Sequence, residues 1–172
     1  MVDDVALEAK EYIASLKAFS TINLIVELCR TTGKLKDHLS PGKEWDLFLV
    51  DMMMPPGTLF KDIECGRGRF TGALVVEEIR KVYPQVPILL FSGTPFTEVR
   101  EACEKIPMRV KNCAYWQKGS LQPRELAEKI DKLFTGGALE ENKSWWDRLF
   151  GALLLEPNMA GIGIDVRKLG GD

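Results

Sequence analysis

The chain contains a single histidine, His38, and that scarcity removes whole classes of chemistry. Metal centres built on several imidazoles are excluded, and a Ser–His or Cys–His catalytic pair is left with one residue in a polar stretch that reads as surface. The four cysteines, Cys29, Cys65, Cys103 and Cys113, show no CxxC or other metal spacing. They read as buried or incidental reduced thiols of a cytoplasmic protein. Excess charge of either sign is also lacking. A formal net charge of −2 offers no bulk electrostatic case for nucleic acid or an anionic membrane as a partner. No apolar run approaches the length of a membrane span, and the N-terminus lacks the basic-then-apolar order of a signal peptide. The expectation is a cytoplasmic protein with neither partner.

What is there describes a folded domain. At 172 residues, 45% hydrophobic and 28% charged, the chain can bury a core without disulfides or a structural metal. The length suits one domain plus an appendage. Apolar residues at Ala6, Ala9, Ile13 and Leu16 recur at helical spacing between Val5 and Phe19. The run Ile22–Leu28 alternates and is rich in aliphatic and β-branched residues, which predicts a strand. Residues 30–44 are polar and end in Ser40-Pro-Gly, predicting a short helix and a turn. Leu47–Val50 and Pro87–Phe91 are short continuous apolar runs, as expected of strands buried on both faces, and a third strand is expected around Cys113–Trp116. Helices are predicted over 73–83, with Leu74, Val75, Ile79 and Val82 on one side, and over about 96–105. A last one runs from Pro123 to about Phe134, with Leu126, Ile130 and Leu133 inward.

Strands alternating with helices of this length imply βα units, and right-handed crossovers place helices on both faces of a parallel sheet. The fold class expected is α/β, a doubly wound parallel sheet. In such sheets chemistry sits just beyond the carboxyl ends of the strands. The residues that end the apolar runs are Asp51, Ser92 and Lys118. A strand-tip carboxylate is a nucleophile toward phosphorus, a hydroxyl hydrogen-bonds phosphoryl oxygens, and a lysine neutralises their charge. Phosphoryl transfer still needs a hard divalent cation, which carboxylates, a carbonyl and waters would hold. Asp3 and Asp4 could supply carboxylates if they lie beside Asp51.

Val2-Asp3-Asp4, then Asp51-Met-Met-Met54-Pro55, then Ser92-Gly93, then Tyr115-Trp-Gln-Lys118 resemble the response-regulator receiver domain in order and approximate spacing. The resemblance covers roughly residues 2–134, and its most specific element is the Asp-x-x-Met-Pro run. It implies the flavodoxin-like receiver fold and a phosphoacceptor role in a two-component phosphorelay, with signalling through protein contacts rather than enzyme activity. Carried over, Asp51 is the phosphorylated aspartate, and Ser92 and Lys118 contact the phosphoryl group. Mg2+ is held by a set comprising Asp3, Asp4, Asp51 and Met53. Ser92 and Tyr115 form the switch. The implied partners are a histidine kinase or phosphotransfer protein and a downstream protein. A degenerate receiver that only binds partners is the alternative. A haloacid-dehalogenase-type phosphatase needs a second acid two residues after the nucleophile, where this chain has Met53.

Several features depart from the pattern. The first strand should precede Val2, yet the chain begins at Met1. Either the natural chain begins upstream or another segment, Gly161–Val166, fills the gap. Its two glycines weaken it as a central strand, so the first strand is expected to be missing or truncated. The proline that follows the family lysine is Gly119 here. The loop after Asp51 is about ten residues longer than usual and carries Arg67 and Arg69. Within it, Gly66-Arg67-Gly68-Arg69 reads as a flexible solvated loop, or else as a lid or partner contact beside the acidic pocket. Met53 places an apolar side chain where a polar one could orient hydrolytic water, which implies a long-lived phosphoryl group.

The expected division is a receiver-like domain over 1–135 and an appendage over 136–172. In the appendage, Ser144-Trp-Trp-Asp147 resembles a capping box. Trp145, Trp146, Leu149, Phe150, Leu153 and Leu154 share one face of an expected amphipathic helix, and 160–166 alternates like a short strand.

Overall fold

The aliphatic runs form a parallel sheet of β1 (Phe48–Val50), β2 (Ile88–Ser92) and β3 (Cys113–Gln117). The computed structural model describes residues 1–135 apart from 41, 94 and 121. Register pairs Val50 with Leu90 and Leu90 with Tyr115. Because side chains alternate along a strand, the sheet feeds two apolar layers. Phe48, Val50, Ile88, Leu90 and Cys113 pack with Val75, Val76 and Ile79 of α3 (Thr71–Val82) and with Val99 and Cys103 of α4 (Thr97–Arg109). On the other face, Phe91 meets Tyr12 of α1 (Ala6–Phe19) edge-on, with ring centroids 4.8 Å apart. Trp116 lies beneath Lys129 of α5 (Pro123–Thr135). Helices therefore cover both faces, and the sheet is open and doubly wound.

The first strand is truncated, as expected: among the described residues no strand is assigned before β1, and isolated bridges of Val2 stand in its place. Val2 bridges Cys29 on one side and Val50 on the other, both in parallel. Val2 N donates to Leu49 O at 2.8 Å, Asp51 N to Val2 O at 2.9 Å and Asp3 N to Cys29 O at 3.1 Å. The Met1–Asp3 segment thus lies between Cys29 and β1. The expected missing or truncated first strand is thus met by a remnant in which Val2 alone bridges both neighbours. The segment 161–166 lies outside the described residues, as do the helix expected around 144–154 and the rest of 136–172.

The expected strand over Ile22–Leu28 is not assigned as one, and just beyond it Cys29 makes a single bridge. Among the described residues, the Met1–Asp3 segment pairs with this stretch only at Cys29. Ile25 is consequently 83% exposed. On α3 the inward face is Val75, Val76 and Ile79, while Val82 turns outward at the helix end. α4 runs to Arg109, past the expected end, with Pro107 inside it. The side chain of Leu133 lies outside what the structure describes.

The chain divides into two units, Met1–Asp131 and Lys132–Asp172, and the sheet belongs to the first. Within that unit, the irregular stretch 58–71 that holds Gly66-Arg67-Gly68-Arg69 is packed. Phe60 and Cys65 are buried, Thr32 Oγ1 donates to Pro56 O at 2.5 Å, and Met54 N donates to Gly68 O at 3.1 Å. Arg69 reaches Glu98 at 2.7 Å and covers the Phe96 ring at 4.1 Å, tying the segment to the start of α4.

Candidate functional site

All strands of a parallel sheet end at one edge, and the residues leaving that edge converge here. The Val2 ladder delivers Asp3 and Asp4, β1 runs into Asp51, and β2 ends on Ser92. Lys118 follows β3, and its N–H donates to Ser92 O at 3.0 Å, which continues the ladder by one step. Gly72, at the start of α3, lies so close to this edge that a Cβ there would be driven into Asp51 O and stand 2.5 Å from Met52 Cα.

Asp51 is almost fully buried and its carboxylate is fully engaged. Oδ1 accepts from Ser92 Oγ at 2.8 Å and from Met53 N at 3.1 Å. Oδ2 accepts from Lys118 Nζ at 2.7 Å. The same ammonium donates to Asp3 Oδ2 at 2.7 Å, while Asp3 Oδ1 accepts from Val5 N at 2.9 Å. Glu8 Oε2 lies 3.8 Å from Lys118 Nζ. Burial alone would depress the Lys118 pKa, but the Asp51 and Asp3 carboxylates outweigh it and hold the pKa above the ordinary lysine value.

Asp4 is the group left over. Its Oδ1 is buried with no hydrogen-bond partner among the described residues. Desolvation raises its pKa, and repulsion from Asp51 and Asp3 adds to that. Oxygens of Asp3, Asp4 and Asp51 lie within 4.8 Å of one another. Three carboxylates thus surround a single ammonium, one of them with an orphaned oxygen. That excess of hard oxygen donors fits a divalent cation such as Mg2+. Asp3, Asp4 and Asp51 are the residues that would hold it. Met53 adjoins the site through its backbone N–H.

Tyr115 lies apart from the carboxylates. It sits on β3 beside Leu90, half-buried against the core, with its hydroxyl buried and unpartnered among the described residues. Burial pushes its pKa up to about 12, with the neighbouring Cys103 and Glu104 adding to the shift. Gly119 takes φ 80°, a backbone region closed to proline. The departure at this position is therefore a different turn after Lys118 and not a neutral replacement. His38 is remote in role, paired with Glu27 at 3.1 Å. The four cysteines are free and buried, and burial pushes Cys103 and Cys113 up to about 12, far from nucleophilic use. Sequence reading missed Glu8 and Gly72. Glu8 sits in the first turn of α1, and nothing in the sequence pattern marks its approach to Lys118.

Solved structures share this architecture. A CheY-like response regulator receiver domain protein from Methanospirillum hungatei JF-1 matches with a TM-score of 0.54 at 19% identity, over 90% of this chain and 94% of that one. A two-component transcriptional regulator AraC from Clostridium phytofermentans ISDg matches at 0.51 and 16% identity, over 90% and 95% of the two chains. RcsB from Salmonella enterica serovar Typhimurium, bound to promoter rprA in the presence of phosphomimetic BeF3−, matches at 0.50 and 16% identity, over 90% and 89%. No family model matches the chain, and no curated protein matches it. The chain is built on the receiver-domain fold, a flavodoxin-like open parallel sheet. One neighbour is bound to promoter DNA, so the expectation of no nucleic-acid partner gains no support. Among the described residues no helix is long and apolar enough to cross a membrane.

Proposed function

We propose that this chain is a phosphoacceptor receiver module that takes a phosphoryl group on Asp51 and signals through altered protein contacts. The observation that carries the reading is the 2.7 Å contact of Lys118 Nζ with Asp51 Oδ2, made beside an orphaned Asp4 oxygen at the strand-end edge of a receiver fold. In the proposed reaction an Asp51 carboxylate oxygen attacks phosphorus. The P–N bond of a phosphohistidine on a kinase or phosphotransfer protein breaks, and the imidazole keeps the electron pair. Lys118 then offsets charge on the phosphoryl oxygens, and Ser92 Oγ is free to donate to them. Mg2+ held by Asp3, Asp4 and Asp51 would supply further neutralisation of phosphoryl charge. The apolar Met53 side chain, two residues after Asp51, gives no help to an attacking water, so the acyl phosphate should be long-lived.

The module acts by switching partners and not by turnover on a substrate. Its receiver part is residues 1–135, followed by an appendage over 136–172. The deciding experiment is intact-mass analysis after incubation with a small acyl phosphate and Mg2+. Wild type should gain one phosphoryl group and Asp51→Asn none, because an amide lacks the anionic oxygen that attacks phosphorus. Unmodified wild type, under conditions that label an ordinary receiver, would leave the degenerate, phosphorylation-independent module as the reading.

A further inference from the structure

We infer that Glu8 is a positioning residue that receives the Lys118 ammonium when a divalent cation enters the carboxylate cluster. This rests on the reading above that Asp3, Asp4 and Asp51 take Mg2+. Lys118 Nζ now bridges Asp3 Oδ2 and Asp51 Oδ2 at 2.7 Å each, so it occupies oxygens that a divalent cation would also seek. An ammonium and a divalent cation on the same two oxygens repel strongly at such range in a poorly solvated site. Lys118 must therefore yield at least one of its two partners.

Where it can go is limited. Asp3 is wholly buried, Asp51 nearly so, and the Phe91 ring stands 5.7 Å from Nζ. Among the described residues, the carboxylate paired with Nζ outside the proposed cation site is Glu8, whose Oε2 is 3.8 Å away. Glu8 is exposed, on the first turn of α1, so its carboxylate can adjust to a moving ammonium at little packing cost. A flexible lysine beside an adjustable glutamate is thus held near the site, available to Asp51, instead of being lost to solvent.

The probe is Mg2+ itself, titrated calorimetrically into the full chain as wild type, Glu8→Gln, Lys118→Met and the double variant. Glu8→Gln should weaken Mg2+ binding about two- to fivefold in wild type, the range of an exposed ion pair, and leave it nearly unchanged in the Lys118→Met background. Equal weakening in both backgrounds would show that Glu8 acts on the cation directly and would overturn the inference, as would no weakening in wild type. Absence of Mg2+ binding by wild type would overturn the cation reading itself, and the inference with it. Should Lys118→Met fail to fold, NMR of the Lys118 ammonium in wild type and Glu8→Gln decides. On adding Mg2+, wild type should keep a slowly exchanging signal and Glu8→Gln should lose it. The same signal in both counts against Glu8.

Discussion

Lys118 and Asp3 form an ion pair in which the carboxylate is wholly buried, with Nζ and Oδ2 2.7 Å apart. Removing one partner of such a pair leaves the other charge without compensation. Lys118→Met should therefore destabilise the fold by about 3–5 kcal/mol in urea denaturation. Adding Asp3→Asn to it should restore a large part of that loss, although neither single variant is stabilising. The Lys118 pKa is raised in the folded state. Its contribution is accordingly full below the ordinary lysine value of 10.5 and fades as pH rises through the folded value. A loss below about 1 kcal/mol would mean that the pair is solvent-screened and unimportant.

Asp4 should behave in the opposite sense. Its pKa is raised by burial and by Asp51 and Asp3, so its ionised form costs stability at neutral pH. Asp4→Asn should raise the melting temperature of metal-free protein at pH 7, by an increment worth at most about 1 kcal/mol given the solvent screening at this half-buried site. The increment should shrink as pH falls through the raised pKa and vanish below the ordinary value of 3.8, where both proteins are neutral at this position. Saturating Mg2+ should reverse the order, because wild type gains binding energy that the amide forgoes. A variant less stable than wild type without metal would show that Asp4 is structurally satisfied after all.

Ser92 and Tyr115 supply a third test. The Ser92 hydroxyl is committed to Asp51 Oδ1 at 2.8 Å, and Tyr115 is half-buried with an unpartnered hydroxyl. If modification of Asp51 draws Ser92 Oγ away, the space it leaves biases the ring's packing, a two-state response to a local charge change. Ser92→Ala should still be phosphorylated. It should lose most of the phosphorylation-dependent change in Tyr115 ring signals seen by NMR. Full retention of that change in the variant would remove Ser92 from the pathway.

The alternation of apolar runs with helical periods carried the architecture, because a βα repeat leaves few topologies and all parallel strands end at one edge. That is why Asp51, Ser92 and Lys118, each following its own run, lie together. Periodicity could not reveal that Ile22–Leu28, with good strand composition, joins no ladder among the described residues. Strand identity depends on what lies opposite, and here that is only Met1–Asp3. Val2 was equally hidden, since three residues are too short for any period to show. Gly72 was illegible for another reason. Its role is the closeness of Asp51 O, a distance set by tertiary packing across an inserted segment.

That inserted segment offers the last prediction. Glycine- and arginine-rich composition makes residues 66–69 read as solvated, but in the irregular stretch around them Phe60 is 3% exposed and belongs to the same cluster as Met54 and Val75. Deleting a buried aromatic side chain costs about 3–5 kcal/mol, so Phe60→Ala should destabilise the whole domain by that amount. Ile63, three residues on, is 49% exposed and should tolerate alanine within about 0.5 kcal/mol. The contrast within one short segment separates a packed insertion from a flexible one, since a flexible loop would make both substitutions neutral. Hydrogen exchange gives a second readout. Met54 N–H donates to Gly68 O, and this bond closes the segment back onto the loop that follows Asp51. Its exchange should be protected in wild type and in Ile63→Ala, and markedly faster in Phe60→Ala. Because Met54 lies three residues from Asp51, the same variant should also slow phosphorylation at Asp51 while Ile63→Ala leaves the rate unchanged.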